Sequence, residues 1–438
     1  MLAQAWRSSL VRVAASLRGV PSADPRPLQI AYVVSRYPSS SETFIVRELN
    51  ALSTDSRLEI ALLSLFPPNE RFTHESGRPW LSLLRRPAPV QAFAALGYWL
   101  VHSPRVLVSA LVDVVRACRR SPALLVRSLV AVALASAHAR ALAREPVDHV
   151  HAHFATFPAL AAWMMGRLTG ASYSFTAHAH DLFVDASLLS LCLPEARFVV
   201  AISRFNRDFV ERRRPGSTPQ VHVIRCGIEP SAYPFRPRSI PAHGPVRALC
   251  VASLQEHKGH AVLLQSLASR GEGLDRIEVG LVGAGPLRNE LEVLASRLGI
   301  AERVRFLGPL DERDVAKLLD DADLFVLPSR VAADGQMEGL PVALIEAAAG
   351  GVPIVASRLS GIPELIRDGV TGYLAEPGDV ESLSQTLVRC LATDAKVDLA
   401  AARALVEQEF AVQGSAARLA DLFLAERQPI PTEVVGAR

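Results

Sequence analysis

One grammar, written twice on either side of a proline-rich break, constrains this chain more than any other feature. Short β-branched runs alternate with longer stretches whose apolar residues recur at helical spacing. In the first half the predicted strands are Leu28–Ser35, Leu58–Leu65, His149–Phe154, Ser172–Ala177, Phe198–Ile202 and Val221–Ile224. These runs are continuous rather than alternating in character, as parallel strands covered by helices on both faces must be. The segment Tyr233–Pro245 (YPFRPRSIPAHGP) breaks all periodicity and reads as a linker. The grammar then restarts with Val246–Ala252, Ile277–Val282, Val304–Leu307, Leu324–Leu327 and Pro353–Ala356, and closes in a helical tail from Lys396 to about Glu426. The pattern predicts an α/β protein of two doubly wound, Rossmann-like domains, 27–232 and 246–395, with a linker at 233–245 and a tail at 396–438. Ligand is expected in the crevice at the carboxyl ends of the strands.

Charge is distributed unevenly. The whole chain carries +3, which excludes wholesale nucleic-acid binding. Between Arg78 and Glu145, however, ten arginines face only Asp113 and Glu145, a local net of +8. This 78–145 stretch is rich in Leu, Val and Ala at helical periods and reads as a basic helical subdomain. Its longest uncharged run, Pro87–Pro104, is broken by prolines and falls short of the ~20 apolar residues of a spanning helix. Either its arginines line the wet face of ordinary core helices, or the surface presses against anionic lipid. Residues 1–26 form a basic extension in which Trp6, Leu10, Val13, Ala14 and Leu17 share one helical face, with arginines interrupting any secretory core. The five cysteines are scattered without a C-x-x-C pair, which points to a reducing compartment.

Three segments of the second half sit where strands give way to helices, the places where backbone N–H groups and helix dipoles hold phosphate. VASLQEHKG supplies Ser253 and Lys258. Gly283-Ala284-Gly285-Pro286 opens a helix after EVGLV, with proline expected at its first position. In DGQMEGLPVALIEAAAGG, Pro341 is suited to start a helix, so Gly339, Leu340 and the residues after them aim unpaired amides into the crevice. Glu346 lies about 7.5 Å beyond Pro341 along the axis, and Glu338 precedes the helix. The two carboxylates bracket a bound diphosphate, each accepting hydroxyls on its own side. Glu346 has almost no polar neighbours, so its carboxylate is expected to be buried with a partner.

Five of the twelve histidines fall in DHVHAHF and FTAHAHD. Residues two apart on a strand share a face. His151/His153 and His178/His180 with Asp181 therefore offer a metal site of the hydrolase type as an alternative, while a plain structural role suits His149 and His180 best.

In order and spacing, VASLQEHKGH, LVGAGPLRNELE, VRFLGPL, ADLFVLPS, EGLPVALIE and GVPIVASRLSGIPELIRDGVTGYL resemble the second domain of glycosyltransferase family 4, retaining enzymes of GT-B fold with two Rossmann-like domains facing a central cleft. SRYPSSSETFIVRELNAL, HAHFATFPALAAW and SFTAHAHDLF resemble the branch that assembles bacterial exopolysaccharides such as colanic acid. The resemblance implies that Glu338 contacts the donor sugar, Lys258 the diphosphate, the Gly339 and Leu340 amides the sugar and phosphates, and Glu346 the ribose. It implies His178 beside the reacting sugar. Ser41, Glu42 and Thr43, at the start of the first helix, stand where many members have a glycine-rich loop that approaches the acceptor, and His151 and His153 are placed with them on the acceptor side. Many members carry an arginine beside the lysine, where this chain has Ser253, which can donate a hydrogen bond but adds no charge.

The implied donor is a nucleotide-diphosphate sugar, with no metal or other cofactor required. The implied acceptor is a glycan, and a polyprenyl-diphosphate-linked one would set a cytoplasmic enzyme against the inner face of the plasma membrane. A nucleotide-sugar epimerase on the same cradle, the histidine-metal hydrolase and a non-catalytic scaffold of polysaccharide assembly are the other readings.

Overall fold

The computed structural model describes residues 26–39, 42–68, 74–184, 186–214, 216, 219–392 and 396–425. The N-terminal amphipathic stretch and Ser41 lie outside the described residues. Among the described residues, twelve strands form two six-stranded parallel sheets. The first contains β1 (Leu28–Arg36), β2 (Leu58–Phe66), β3 (His149–His153), β4 (Ser172–Ala177), β5 (Phe198–Ala201) and β6 (Gln220–Val223), in the order β2-β1-β3-β4-β5-β6. The second contains β7 (Val246–Val251), β8 (Ile277–Val282), β9 (Val304–Gly308), β10 (Leu324–Leu327), β11 (Ile354–Ser357) and β12 (Tyr373–Ala375), in the order β12-β11-β10-β7-β8-β9. The order reverses between β1 and β3 and between β7 and β10. Crevices for ligand open at such reversals, so the loops after these four strands carry the site.

Each face of the first sheet has its own core. Along β1, Ile30, Tyr32 and Val34 pack with helix α1 (Thr43–Leu52), whereas Ala31 and Val33 turn to the other face, as the two-residue strand period requires. That other face is covered by α2 (Pro89–His102), α3 (Pro104–Cys118), α4 (Pro122–Leu142) and α5 (Phe157–Thr169), where Trp163, Met164 and Met165 are fully buried.

The 78–145 stretch is helical, but α4 departs from the expectation about membrane-length helices. At 21 residues it is long and apolar enough to cross a membrane by length and composition, despite Arg127 and Arg140. Nine of its residues are buried, and it packs against α2 and α5. The outer faces of the lobe are nonetheless apolar. Val90, Phe93, Leu100 and Val101 on α2, Val108 on α3 and Val126 on α4 are each at least half exposed.

The C-terminal tail does not stand apart. Its first helix, Leu399–Glu409, packs on the helix Val342–Gly350 of the second domain. The chain then crosses back beside the linker, where Ile228 N donates to Phe410 O and Val412 N to Ile228 O. Its last helix, Val412–Ala425, inserts Leu419 and Phe423 into the core of the first domain beside Ile30 and Tyr32. The amphipathic spacing was visible in sequence, but not which domain it would complete.

Candidate active site in the interdomain crevice

The wall expected to hold the donor is built on the loops after β7 and β10. Gly259, at φ +75°, has no room for a Cβ against the carbonyl of Pro328, so the two loops touch backbone to backbone. This contact brings Lys258 to Glu338, and their side chains form an ion pair. His257 Nε2 stands 3.4 Å from the same Glu338 oxygen. Burial alone would push the Glu338 carboxyl up. Lys258, with His257, overrides that and holds it at about 2.

The backbone of the Glu338 loop is fastened by a residue that sequence reasoning did not single out. Ser360 Oγ donates to the carbonyls of both Glu338, at 2.6 Å, and Gly339, at 2.5 Å. Ser253 is half-buried in the loop after β7.

Two helix starts differ from expectation. The helix after β8 begins at Arg288, not at Pro286, because Leu287 N is drawn back to Leu254 O at 3.2 Å. Gly283 and Gly285 serve this closure. A Cβ on either would strike the backbone of Ala252–Leu254, so the G-x-G spacing here packs one loop on another. Pro341 is the residue before the first helical turn, with ψ 127°, and Val342 opens the helix. Leu340 is buried.

Glu346 is 7% exposed and, as its apolar neighbours demanded, has a partner. That partner comes from the opposite domain. Arg47 Nη2, on α1, lies 2.7 Å from Glu346 Oε1, 3.2 Å from Glu312 Oε1 and 3.3 Å from the Tyr233 hydroxyl. Burial pulls the Arg47 pKa down, yet Glu346, Tyr233 and Glu312 together carry it well above its ordinary value. Glu364 makes a second crossing. Its carboxylate accepts from Arg204 N and Phe205 N, each at 3.1 Å, at the start of a first-domain helix, and forms an ion pair with Arg225, whose Nη1 is 2.8 Å away. An acid at a helix N-terminus is favoured by the unpaired amides there.

On the acceptor side the histidines separate into two groups. His149 bonds Ser172 and Ser174 Oγ, both at 2.7 Å. His151 bonds Ser174 Oγ at 2.8 Å and Thr176 Oγ1 at 3.0 Å. These are rungs between β3 and β4, fully buried, and burial drives the His149 imidazole down to about 3 and that of His151 well below its usual range. His151 therefore does not meet an acceptor, because its ring is spent inside the sheet face.

The expected metal constellation is also divided. His180 is exposed and not structural, while the Asp181 carboxylate is occupied by Ala155 N at 2.6 Å and His178 N at 3.0 Å. Glu48, His151 and His153 bring ligand atoms within 4.8 Å of one another, but both nitrogens of each ring already have protein partners.

His178 sits at the carboxyl end of β4, 5% exposed, with Phe44 and Phe154 rings at 4.8 and 4.5 Å. Its Nε2 is 3.0 Å from His153 Nδ1, so His153 reaches the crevice only through His178. Glu42 precedes α1, Thr43 begins it, and the Glu42 side chain makes no capping hydrogen bond.

This geometry can be set beside known proteins. Residues 82–232 match the family described as Glycosyltransferase Family 4, and 235–404 match Glycosyl transferases group 1. The amylovoran biosynthesis glycosyltransferase AmsK of Erwinia amylovora is 40% identical over 193 residues, covering 44% of this chain and 47% of AmsK. The putative colanic acid biosynthesis glycosyltransferase WcaL of Salmonella typhimurium is 27% identical over 427 residues, covering 90% of this chain and 99% of WcaL. The matched region thus spans about half the length of the first relative and nearly all of the second. Among solved structures, Anabaena HepE in complex with UDP and glucose superposes with a TM-score of 0.65 at 17% identity, covering 91% of this chain and 100% of HepE. Paired parallel sheets, a crevice between them and two adjoining family matches lead to one conclusion: the chain belongs to the family 4, group 1 glycosyltransferases and has their GT-B fold.

Proposed function

We propose that this chain is a retaining hexosyltransferase that moves a sugar from a nucleotide-diphosphate sugar to a glycan acceptor in exopolysaccharide synthesis. The observation that carries the reading is the Lys258–Glu338 pair at the β7/β10 reversal, with Glu346 one helix turn deeper on the same crevice wall. The names of AmsK and WcaL and the UDP and glucose bound to HepE support the product and donor classes.

In the proposed reaction the donor diphosphate lies against Lys258 and the amides leading into the Val342–Gly350 helix. These stabilise the negative charge that develops as the anomeric C–O bond to phosphate breaks. The acceptor hydroxyl attacks from the leaving-group face and its proton passes to a donor phosphate oxygen, so the residues present suffice without a metal. Glu338 holds hydroxyls of the sugar and Glu346 those of the ribose, sharing its carboxylate with Arg47. His178 positions the reacting sugar, and closure of the two domains keeps water out. A thermal-shift panel of nucleotide sugars tests this. One donor is expected to raise the melting temperature through preferential binding to the folded state, and loss of that shift in Glu346→Ala confirms the site. No shift with any nucleotide sugar would count against the reading.

The acceptor is proposed to be lipid-linked and the enzyme to work against the cytoplasmic face of the membrane. Each helix of the 78–145 lobe carries an outward apolar stripe, Val90/Phe93/Leu100/Val101, Val108/Val112/Val115 and Val126/Leu129/Val130, beside exposed Arg105, Arg116, Arg119, Arg120 and Arg127. Apolar insertion with basic flanks suits an anionic bilayer. Cosedimentation with phosphatidylglycerol vesicles is expected to exceed that with phosphatidylcholine and to fall with salt. Equal sedimentation with both would remove the membrane assignment.

A further inference from the structure

The crevice histidine is held from behind by groups that no step of the reaction touches. Glu48 Oε1 is 2.9 Å from His153 Nε2, and His153 Nδ1 is 3.0 Å from His178 Nε2. The fully buried Tyr32 brings its hydroxyl to the Glu48 carboxylate and to 2.6 Å from His153 Nε2. A carboxylate offers only acceptors, and a neutral imidazole has one donor nitrogen and one acceptor.

One proton pattern satisfies the whole line. His153 donates from Nε2 to Glu48, and Tyr32 donates to the same carboxylate. His153 Nδ1 is then an acceptor, so His178 donates to it from Nε2. The remaining nitrogen of His178, Nδ1, carries a lone pair and lies 3.9 Å from Cys226 Sγ, a partly exposed thiol just before the linker. Burial, reinforced by His153, keeps the His178 pKa well below its usual range, so the ring stays neutral. Its backbone is clamped as well. Asp181 accepts from His178 N at 3.0 Å, and Asn206 Nδ2 donates to His178 O.

We propose that Glu48 and His153 are positioning residues acting in series, which fix His178 in the tautomer that offers Nδ1 as a hydrogen-bond acceptor to a hydroxyl of the bound substrate. The opposite tautomer would present N–H and favour a phosphate or carbonyl oxygen instead. The line therefore makes this part of the crevice select a donor of hydrogen bonds, such as a sugar hydroxyl. The identity of that hydroxyl rests on the transferase reading, but the tautomer does not.

The test is long-range ¹⁵N–¹H correlation of the full chain labelled with ring-¹⁵N histidine, with His153 and His178 assigned by single His→Gln variants. Both rings are expected as Nε2–H tautomers. Glu48→Met keeps the side-chain length but removes the acceptor. Tyr32 then donates to His153 Nε2, and both tautomers are expected to invert, leaving His178 protonated on Nδ1. Sugar transfer by this variant should fall on the order of 10- to 100-fold in kcat, the effect of one misdirected hydrogen bond, with nucleotide affinity unchanged.

A merely structural Glu48 would lower the melting temperature and leave the tautomers in place, which overturns the proposal. So would a wild-type His178 protonated on Nδ1, a measurement that stands even if the variant does not fold. Because the spectra report protons and not turnover, they decide the relay separately from the transferase assignment.

Discussion

Lys258→Met is expected to cost both turnover and stability, by separable routes. In the proposed reaction Lys258 is the cation set against the departing diphosphate, and its loss should lower kcat by about 10²- to 10³-fold, the effect of deleting one preorganised charge-stabilising group. Independently, Glu338 is left in its buried position without its counter-charge, a change that costs about 3–5 kcal/mol when one partner of such a pair is removed.

The pH dependence follows from the depressed Glu338 pKa. A carboxyl held at about 2 when folded, against an ordinary value of 4.5, stabilises the fold fully above the ordinary value. It loses that contribution as pH falls from about 4.5 towards 2. Urea unfolding of the wild type should show this loss, on the order of 3 kcal/mol, and Lys258→Met should show a flatter acid limb. Adding Glu338→Gln to Lys258→Met should restore stability but not turnover. Recovery of turnover in the double variant would mean that Lys258 serves the fold and not the reaction.

Arg47→Met is the second large effect. It leaves Glu346 and Glu312, both on the second domain, side by side at the interface without the guanidinium that now reaches them from α1. The cost is about 3 kcal/mol or more, since Glu346 is desolvated and cannot recruit water without moving. The route of relief is separation of the two domains, so small-angle scattering should report a larger radius of gyration alongside the lower urea midpoint. Arg47→Lys should recover only part of either, because an ammonium is more strongly hydrated than a guanidinium and costs more to bury beside the two carboxylates and the phenol that Arg47 Nη2 reaches. An unchanged midpoint and an unchanged radius would show that the cluster does not hold the crevice shut.

Much of the fold was legible because parallel strands must be apolar on both faces, and nine of the eleven predicted strands keep at least one terminus to the residue. The exceptions, Val221–Ile224 and Pro353–Ala356, are each shifted by one residue, and the edge strand Tyr373–Ala375 went unread because three residues carry no period. The wall expected to hold the donor was readable for a local reason: Lys258 and Glu338 sit on the loops after β7 and β10, where the strand order reverses, and Glu346 follows one turn into the helix that leaves the second loop.

The opposite wall was harder. The H-x-H spacing shows that His149, His151 and His153 share a face, but whether they bind a ligand depends on what lies across from them. The answer was written in SYSFT, whose Ser172, Ser174 and Thr176 alternate at the same two-residue period. Adjacent charges in the middle of α1, Arg47 and Glu48, were a signal that went unused. Their partners lie as far as 299 residues away in the chain, and no local pattern encodes such a distance.

The return of Val412–Ala425 to the first domain bears on the order in which the protein is made. Leu419 and Phe423 fill the space beneath β1, so the half of the molecule translated first has a gap in its interior until those residues leave the ribosome. The core of the half translated later takes Val406 and Phe410 from the tail just before this helix, so it is complete a few residues sooner. Of the two domains, the one synthesised earlier is thus the later to be completed.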